Sequence, residues 1–369
     1  ISPAMPISEP ASYAEELAAD IGRYYTQGMP EDTKALASGL FDDAEFLSQS
    51  EQVFAERLAL LDRELARYEG GVLFFYFSSL DQLSHVFWRS IEPDASPEDA
   101  RYAHVIPDIY QRIDEQVGRV LAYARERGNT EVIIMSDHGF SPYRYKVNLN
   151  TWLVENSYMT VYSQDEVEAR QAEGLDDNID TALRHINWEQ TTAYALGLNQ
   201  LFINLKGRES RGAVDESEYD ALVSQLKRSL ESIRDPNTGQ TVITEAVRPE
   251  MGRFAERAPD LLIGFNRTYR SSDLSALGQP VEEVISRNTG TWSGDHCMHP
   301  VHVPGVLLTT RPLDPDQWPK NRMPNLLDLA PTILSHFGAP VPEEMTGTPL
   351  WIMAAPESGG QQPASPTDN

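Results

Sequence analysis

Short apolar runs alternate along this chain with longer stretches in which apolar residues recur every three or four positions. From Tyr13 to about Arg67 the pattern is helical and largely polar; within Gln52–Leu65, the residues Val53, Leu58, Leu61 and Leu65 fall at helical spacing. After Gly70-Gly71 comes VLFFYF, a dense apolar run followed by polar residues, which predicts a buried strand over Gly71–Phe77 ending at its carboxyl edge. A second helix is expected from Pro97 to Arg127, with Ile106, Ile109, Ile113, Val117, Val120 and Leu121 on one face. Ser96 before Pro97 reads as its N-cap. Gly128-Asn129 closes the helix, and EVIIMSDHGF reads as a further buried strand running into a loop.

Later elements follow the same two rhythms. Asn150 reads as the N-cap of a short helix through Val154, Asn199–Leu205 as a strand, and Glu216–Ile233 as a helix. Strand patterns return at Asp260–Gly264 and Gly305–Thr309, and an apolar helix over Leu326–Phe337 is closed by Gly338. Strand–helix–strand order predicts an α/β fold, a mostly parallel sheet flanked by helices. The expected organisation is a helical lead-in over 1–67, a core built from 68–158 and 258–352, an inserted smaller subdomain or lid over 159–257, and a Pro/Ser/Gly/Gln-rich disordered tail over 353–369. No internal repeat is visible.

Length and charge narrow the functions available. The 369 residues suffice for one large domain or two ordinary ones. With 30 Lys+Arg against 56 Asp+Glu, the net charge is -26, which argues against a nucleic-acid groove. An anionic substrate would then need a local positive centre, and bound metal ions supply one. No apolar run approaches the roughly 18 residues of a membrane span. The single Cys297 excludes an internal disulfide framework. The chain opens on Ile1 with no signal-peptide pattern, so a removed leader or a start within a longer protein is expected, and localisation is not readable.

Three segments place acidic and imidazole groups after a predicted strand or in a Gly-bounded loop. In Asp81-Gln-Leu-Ser-His85, a spacing of four puts both side chains on one helix face, where one ion could touch both. In Ser136-Asp137-His138-Gly139, a turn at the strand end, permitted by Gly139, could bring neighbouring ligands into one crevice. The third segment is Gly294-Asp295-His296. Each alone has a bland reading: a surface helix pair, a strand-end turn, a satisfied loop histidine. Their joint occurrence points to metal binding. Asp with His is a common zinc shell, and two ions about 3.5–4 Å apart can drive an in-line displacement at phosphorus.

These residues carry a resemblance. FSSLDQLSH, IIMSDHGFSP and SGDH match the pattern of the alkaline phosphatase superfamily, closest to its type I phosphodiesterase/nucleotide pyrophosphatase branch. VNLNTWLVENSYM, APDLLIGF and DLAPTILSHFGAPVPEEMTGTPL resemble the same family, so the likeness covers about 68–154 and 258–350 and is thin between. The resemblance implies an alkaline-phosphatase-like fold and two divalent ions, expected to be zinc. Asp81, His85 and His296 would hold one, Asp137 and His138 the other. It also implies hydrolysis of a small anionic phosphate ester or phosphodiester through a phospho-Thr/Ser intermediate.

Two parts of the family pattern have no counterpart: an Asp after a first buried strand, and a Thr or Ser nucleophile at a helix start. Residues 1–67 contain no apolar run ending in Asp; Asp42, Asp43 and Thr26 lie in polar, helix-leaning sequence. The expectation is that both belong to a region upstream and that this chain alone is inactive. A sulfatase, a cofactor-independent phosphoglycerate mutase, or a non-catalytic metal-binding remnant are the alternatives. His296-Cys297-Met298-His299 with His302 could instead be a structural zinc knot, but Cys297 has no partner cysteine. Otherwise His299 and His302 face substrate or fill the loop. His104, His185 and His336 lack acidic partners in sequence, and the sequon at Asn266 is read as chance.

Overall fold

The computed structural model describes residues 6–175, 180, 183–250, 255–313 and 322–351; the tail expected at 353–369 lies outside them. In chain order the helices are α1 (Tyr13–Ile21), α2 (Thr33–Ala37), α3 (Asp43–Arg67), α4 (Ser79–Phe87) and α5 (Val105–Arg127). Then come β1 (Ile133–Met135), β2 (Ser141–Val147), α6 (Leu149–Glu155), α7 (Gln164–Ala172), β3 (Ala193–Ala195), β4 (Gln200–Ile203) and α8 (Glu216–Glu231). The chain continues through β5 (Ile243–Val247), β6 (Leu261–Phe265), β7 (Thr268–Ser271), α9 (Asp273–Ala276), β8 (Ile285–Arg287), β9 (Gly294–Asp295), β10 (Leu307–Thr309) and α10 (Leu329–His336). Among the described residues, no helix is long and apolar enough to cross a membrane.

The chain divides into two compact units, residues 1–115 with 138–304, and residues 116–137 with 305–369. In the first, α3 begins with a capping box: the Asp42 side chain accepts from Glu45 N at 2.8 Å, and Glu45 accepts from Asp42 N at 2.9 Å. Phe46 and Phe54 of α3 pack with Leu83, Val86 and Phe87 of α4 and with Val105, Ile106 and Ile109 of α5. That apolar contact seats α4, the helix carrying Asp81 and His85. A separate core lies among β3–β6, α6 and α8, with Leu201, Leu226, Ile263 and Phe265 fully buried. In the second unit, β1 pairs with β10, and Ser136 N continues the pairing by donating to Val306 O at 3.0 Å.

Several expectations are corrected. The fold is mixed α/β, but its sheets are mostly antiparallel. One is ordered β3-β4-β6-β5; in another β7, β8 and β9 all pair with β2. Among the described residues, β2–β7 is the parallel pair. Short links explain this: β3 turns directly into β4 as a hairpin, which only antiparallel strands allow. The parallel reading leaned on strands either side of a crossover helix, yet residues 72–77 form no ladder. They form neither helix nor strand, with Phe74 73% exposed and Phe77 packed onto Phe54 at a 5.8 Å ring distance. The second helix starts at Val105, because Ser96 caps a separate short turn by accepting from Asp99 N at 3.0 Å. Asn150 lies inside α6, preceded by Asn148 as N-cap. Fully buried, it serves β3 instead, accepting from Ala195 N and donating to Ala195 O.

Candidate metal centre

Asp81 and His85 stand one turn apart on α4, with His85 Nε2 3.5 Å from Asp81 Oδ1. His138 Nε2 lies 3.8 Å from the same oxygen and His296 Nε2 4.0 Å from it. Three imidazoles therefore converge on one carboxylate oxygen from three distant stretches of chain. Ligand atoms of Asp81, His138 and His296 all fall within 4.8 Å of one another. A tetrahedral zinc site with bonds of about 2.0–2.1 Å has edges of roughly 3.3 Å. Asp81, His138 and His296 approach that arrangement, with His85 beside Asp81 but outside the trio, and one oxygen with imidazole nitrogens suits zinc.

Two of the three rings, His85 and His138, are oriented by their other nitrogen. His85 Nδ1 is 2.7 Å from Gly294 O, 209 residues away in sequence; a carbonyl only accepts, so Nδ1 carries the proton and Nε2 keeps its lone pair. His138 Nδ1 contacts Gly139 O at 3.0 Å with the same consequence. His85 is 3% exposed, stacked on Trp292 at 3.7 Å and met edge-on by Phe140 at 4.8 Å. Burial pushes its imidazole down to about 3, so it is neutral, as a metal ligand must be. His138 and His296 stack at 3.5 Å.

Two glycines allow these approaches. A Cβ on Gly139 would sit 2.4 Å from Pro304 O, where Gly139 N also donates to Val303 O at 2.9 Å. One on Gly294 would meet Ser84 O at 2.6 Å, so only glycine lets β9 lie against α4.

Of the five residues expected from the sequence, the structure brings together Asp81, His85, His138 and His296. His138 lies with Asp81 and His296, while Asp137, expected to share a second ion with it, ends the segment belonging to the other compact unit. His299 and His302 turn to β5: His299 Nε2 is 3.6 Å from Glu245 Oε2, and His302 Nε2 is 2.9 Å from Thr244 Oγ1. Asp295, His296 and Cys297 also lie close together, but the Asp295 carboxylate is occupied by backbone N–H groups and Arg270. Burial, reinforced by Asp295, pushes the Cys297 thiol up to about 12, which removes it as a thiolate. Sequence reasoning missed Trp292 and Arg270, and it singled out the segment holding Asp295 without giving that carboxylate a role. Trp-Ser-Gly-Asp-His is visible as a string, but nothing in its periodicity indicates that the carboxylate faces inward.

By geometry the chain is an α/β protein with a candidate metal centre built from the Asp81 carboxylate and the His138 and His296 imidazoles, with His85 beside Asp81. The model of the type I phosphodiesterase / nucleotide pyrophosphatase family matches residues 8–291, and the chain belongs to that family. Asp81, His85 and His138 fall within the match, while His296 lies just beyond it. No curated protein and no solved structure matches the chain.

Proposed function

We propose that the chain is the metal-binding part of a phosphohydrolase acting on small phosphate esters or phosphodiesters, with Asp81, His85, His138 and His296 holding a divalent cation, zinc by preference. The observation that carries this is the convergence of three Nε2 atoms on Asp81 Oδ1 within 4.0 Å. Family membership supports a hydrolase of phosphodiesterase type. When bound, the ion would stabilise charge on phosphoryl oxygens and lower the pKa of an attacking hydroxyl. With a net charge of -26, an anionic ester needs a local positive centre, and a bound ion would supply one. For the second ion expected from the sequence, Asp137 is the proposed ligand. Substrate choice is assigned to the 159–257 region.

The proposed reaction passes through a phospho-Thr/Ser intermediate, but no hydroxyl of the described residues is assigned the nucleophile's role. Calorimetric zinc titration combined with assays on p-nitrophenyl phosphate and bis-p-nitrophenyl phosphate separates binding from turnover. Zinc binding at neutral pH, lost in Asp81→Ala and His296→Ala, is expected without turnover by these 369 residues alone. Zinc-dependent turnover abolished by His85→Ala would place the nucleophile within the chain. Absence of zinc binding at neutral pH would overturn the reading.

A further inference from the structure

We propose that the buried Arg270–Asp295 ion pair positions the metal centre, fixing the 292–297 loop so that His296 and the Gly294 carbonyl reach Asp81 and His85. This inference rests on the reading of the site as a metal centre.

Asp295 is 1% exposed, and its two oxygens hold residues on both sides of it. Oδ1 accepts from His296 N and from Cys297 N, each at 2.7 Å. Oδ2 accepts from Trp292 Nε1 at 2.8 Å and lies 2.8 Å from Arg270 Nε. One carboxylate thus sets the path of the backbone into His296 and the plane of the indole stacked on His85.

Arg270 is itself buried and is fixed from other directions. Its Nη1 donates to Ser271 O at 3.0 Å and to Asp273 Oδ1 at 2.8 Å, and its guanidinium lies 5.0 Å from the centre of the Tyr143 ring. Arg270 is on β7, Tyr143 on β2 and Asp295 on β9, and β2 pairs with both other strands. The ion pair therefore ties the loop to the strand that begins shortly after His138.

The loop is held on its opposite side by α4. Ser293 N donates to His85 O at 2.7 Å, Ser293 Oγ donates to Val86 O at 2.9 Å, and Gly294 O receives His85 Nδ1–H. The placements of His85 Nε2 and His296 Nε2 both trace back to the Asp295 carboxylate. A partner that orients a ligand in this way contributes to metal affinity as well as to stability.

The test compares the full chain with Asp295→Ala, Asp295→Asn and Trp292→Phe. Folding is checked by circular dichroism, zinc affinity by calorimetry, and ligand geometry by the visible absorption of the cobalt-loaded protein. Asp295→Ala is expected to weaken zinc binding about 10–100-fold and to alter the cobalt band. Asp295→Asn keeps an acceptor for the two backbone N–H groups but loses the attraction for Arg270, so a smaller loss is expected. Trp292→Phe keeps a ring on His85 and loses the hydrogen bond to Asp295; a loss of a few fold is expected. Should Asp295→Ala fail to fold, the other two variants decide. Folded Asp295→Asn and Trp292→Phe that bind zinc like the parent, with an unchanged cobalt band, would overturn the positioning role alone. A parent chain that takes up no zinc would overturn both this inference and the metal reading beneath it.

Discussion

His85 shows how one buried residue links the site to stability. Burial pushes its imidazole down to about 3, whereas the unfolded chain protonates near 6.5. Between those values the unfolded state binds the extra proton, so stability rises with pH there. The contribution is fully present above 6.5 and is lost as pH falls toward 3. At pH 5 the loss is on the order of 2 kcal/mol. Urea unfolding of metal-free protein at pH 7 and pH 5 should therefore show a larger drop for the parent than for His85→Gln, by about that amount. Equal drops would contradict a buried, neutral His85. Gly139 gives a second prediction at this scale, because its Cβ would lie 2.4 Å from Pro304 O. Gly139→Ala should cost about 1–3 kcal/mol and weaken zinc binding by displacing His138; a variant matching the parent in both measurements would refute the tight approach.

Among the elements, residues 72–77 depart furthest from expectation. Their apolar density reads as a buried strand, yet Phe74 and Tyr76 are exposed, while Phe77 packs on Phe54. Hydrophobic density predicts burial only when a partner strand exists to take the backbone hydrogen bonds, and no local signal specifies one. Phe74→Ser is accordingly expected to change stability by less than about 0.5 kcal/mol while lowering self-association by light scattering. Phe46→Ala, at a fully buried α3 position, should cost about 3–5 kcal/mol by denaturant titration. Comparable costs for the two would show that Phe74 is buried after all. Helical periodicity, by contrast, placed Val53, Leu61 and Leu65 on the buried face of α3 and Ile106 and Ile109 on that of α5, while Ile113, Val117, Val120 and Leu121 are half-buried. Their starting points were less legible: Ser96 can cap a separate turn as readily as a long helix.

For the whole molecule, all four converging ligands lie in the unit formed by residues 1–115 and 138–304. Zinc binding only the folded state should stabilise it by about 2.7 kcal/mol at a free concentration 100 times the dissociation constant. Asp81→Ala should abolish that gain. Hydrogen exchange should slow on zinc addition in α4, in the segment after His138 and in residues 292–297. Protection spread evenly over the chain, or absent from those three segments, would place the ion elsewhere.

The sequence by itself determined the local facts: the α/β rhythm, the helical faces, and the residue types suited to a metal. Asp81 and His85 could be paired from a spacing of four, since helix geometry makes that contact a local property. Tertiary structure alone decided that His138 and His296 meet the same Asp81 oxygen. It also decided that His85 Nδ1–H donates to Gly294 O and that Arg270 reaches Asp295. Those contacts depend on the register of β9 and β7 against β2 and on how closely β9 lies on α4. Register and close approach are set by packing between segments far apart in the chain, and periodicity within a segment carries no record of them.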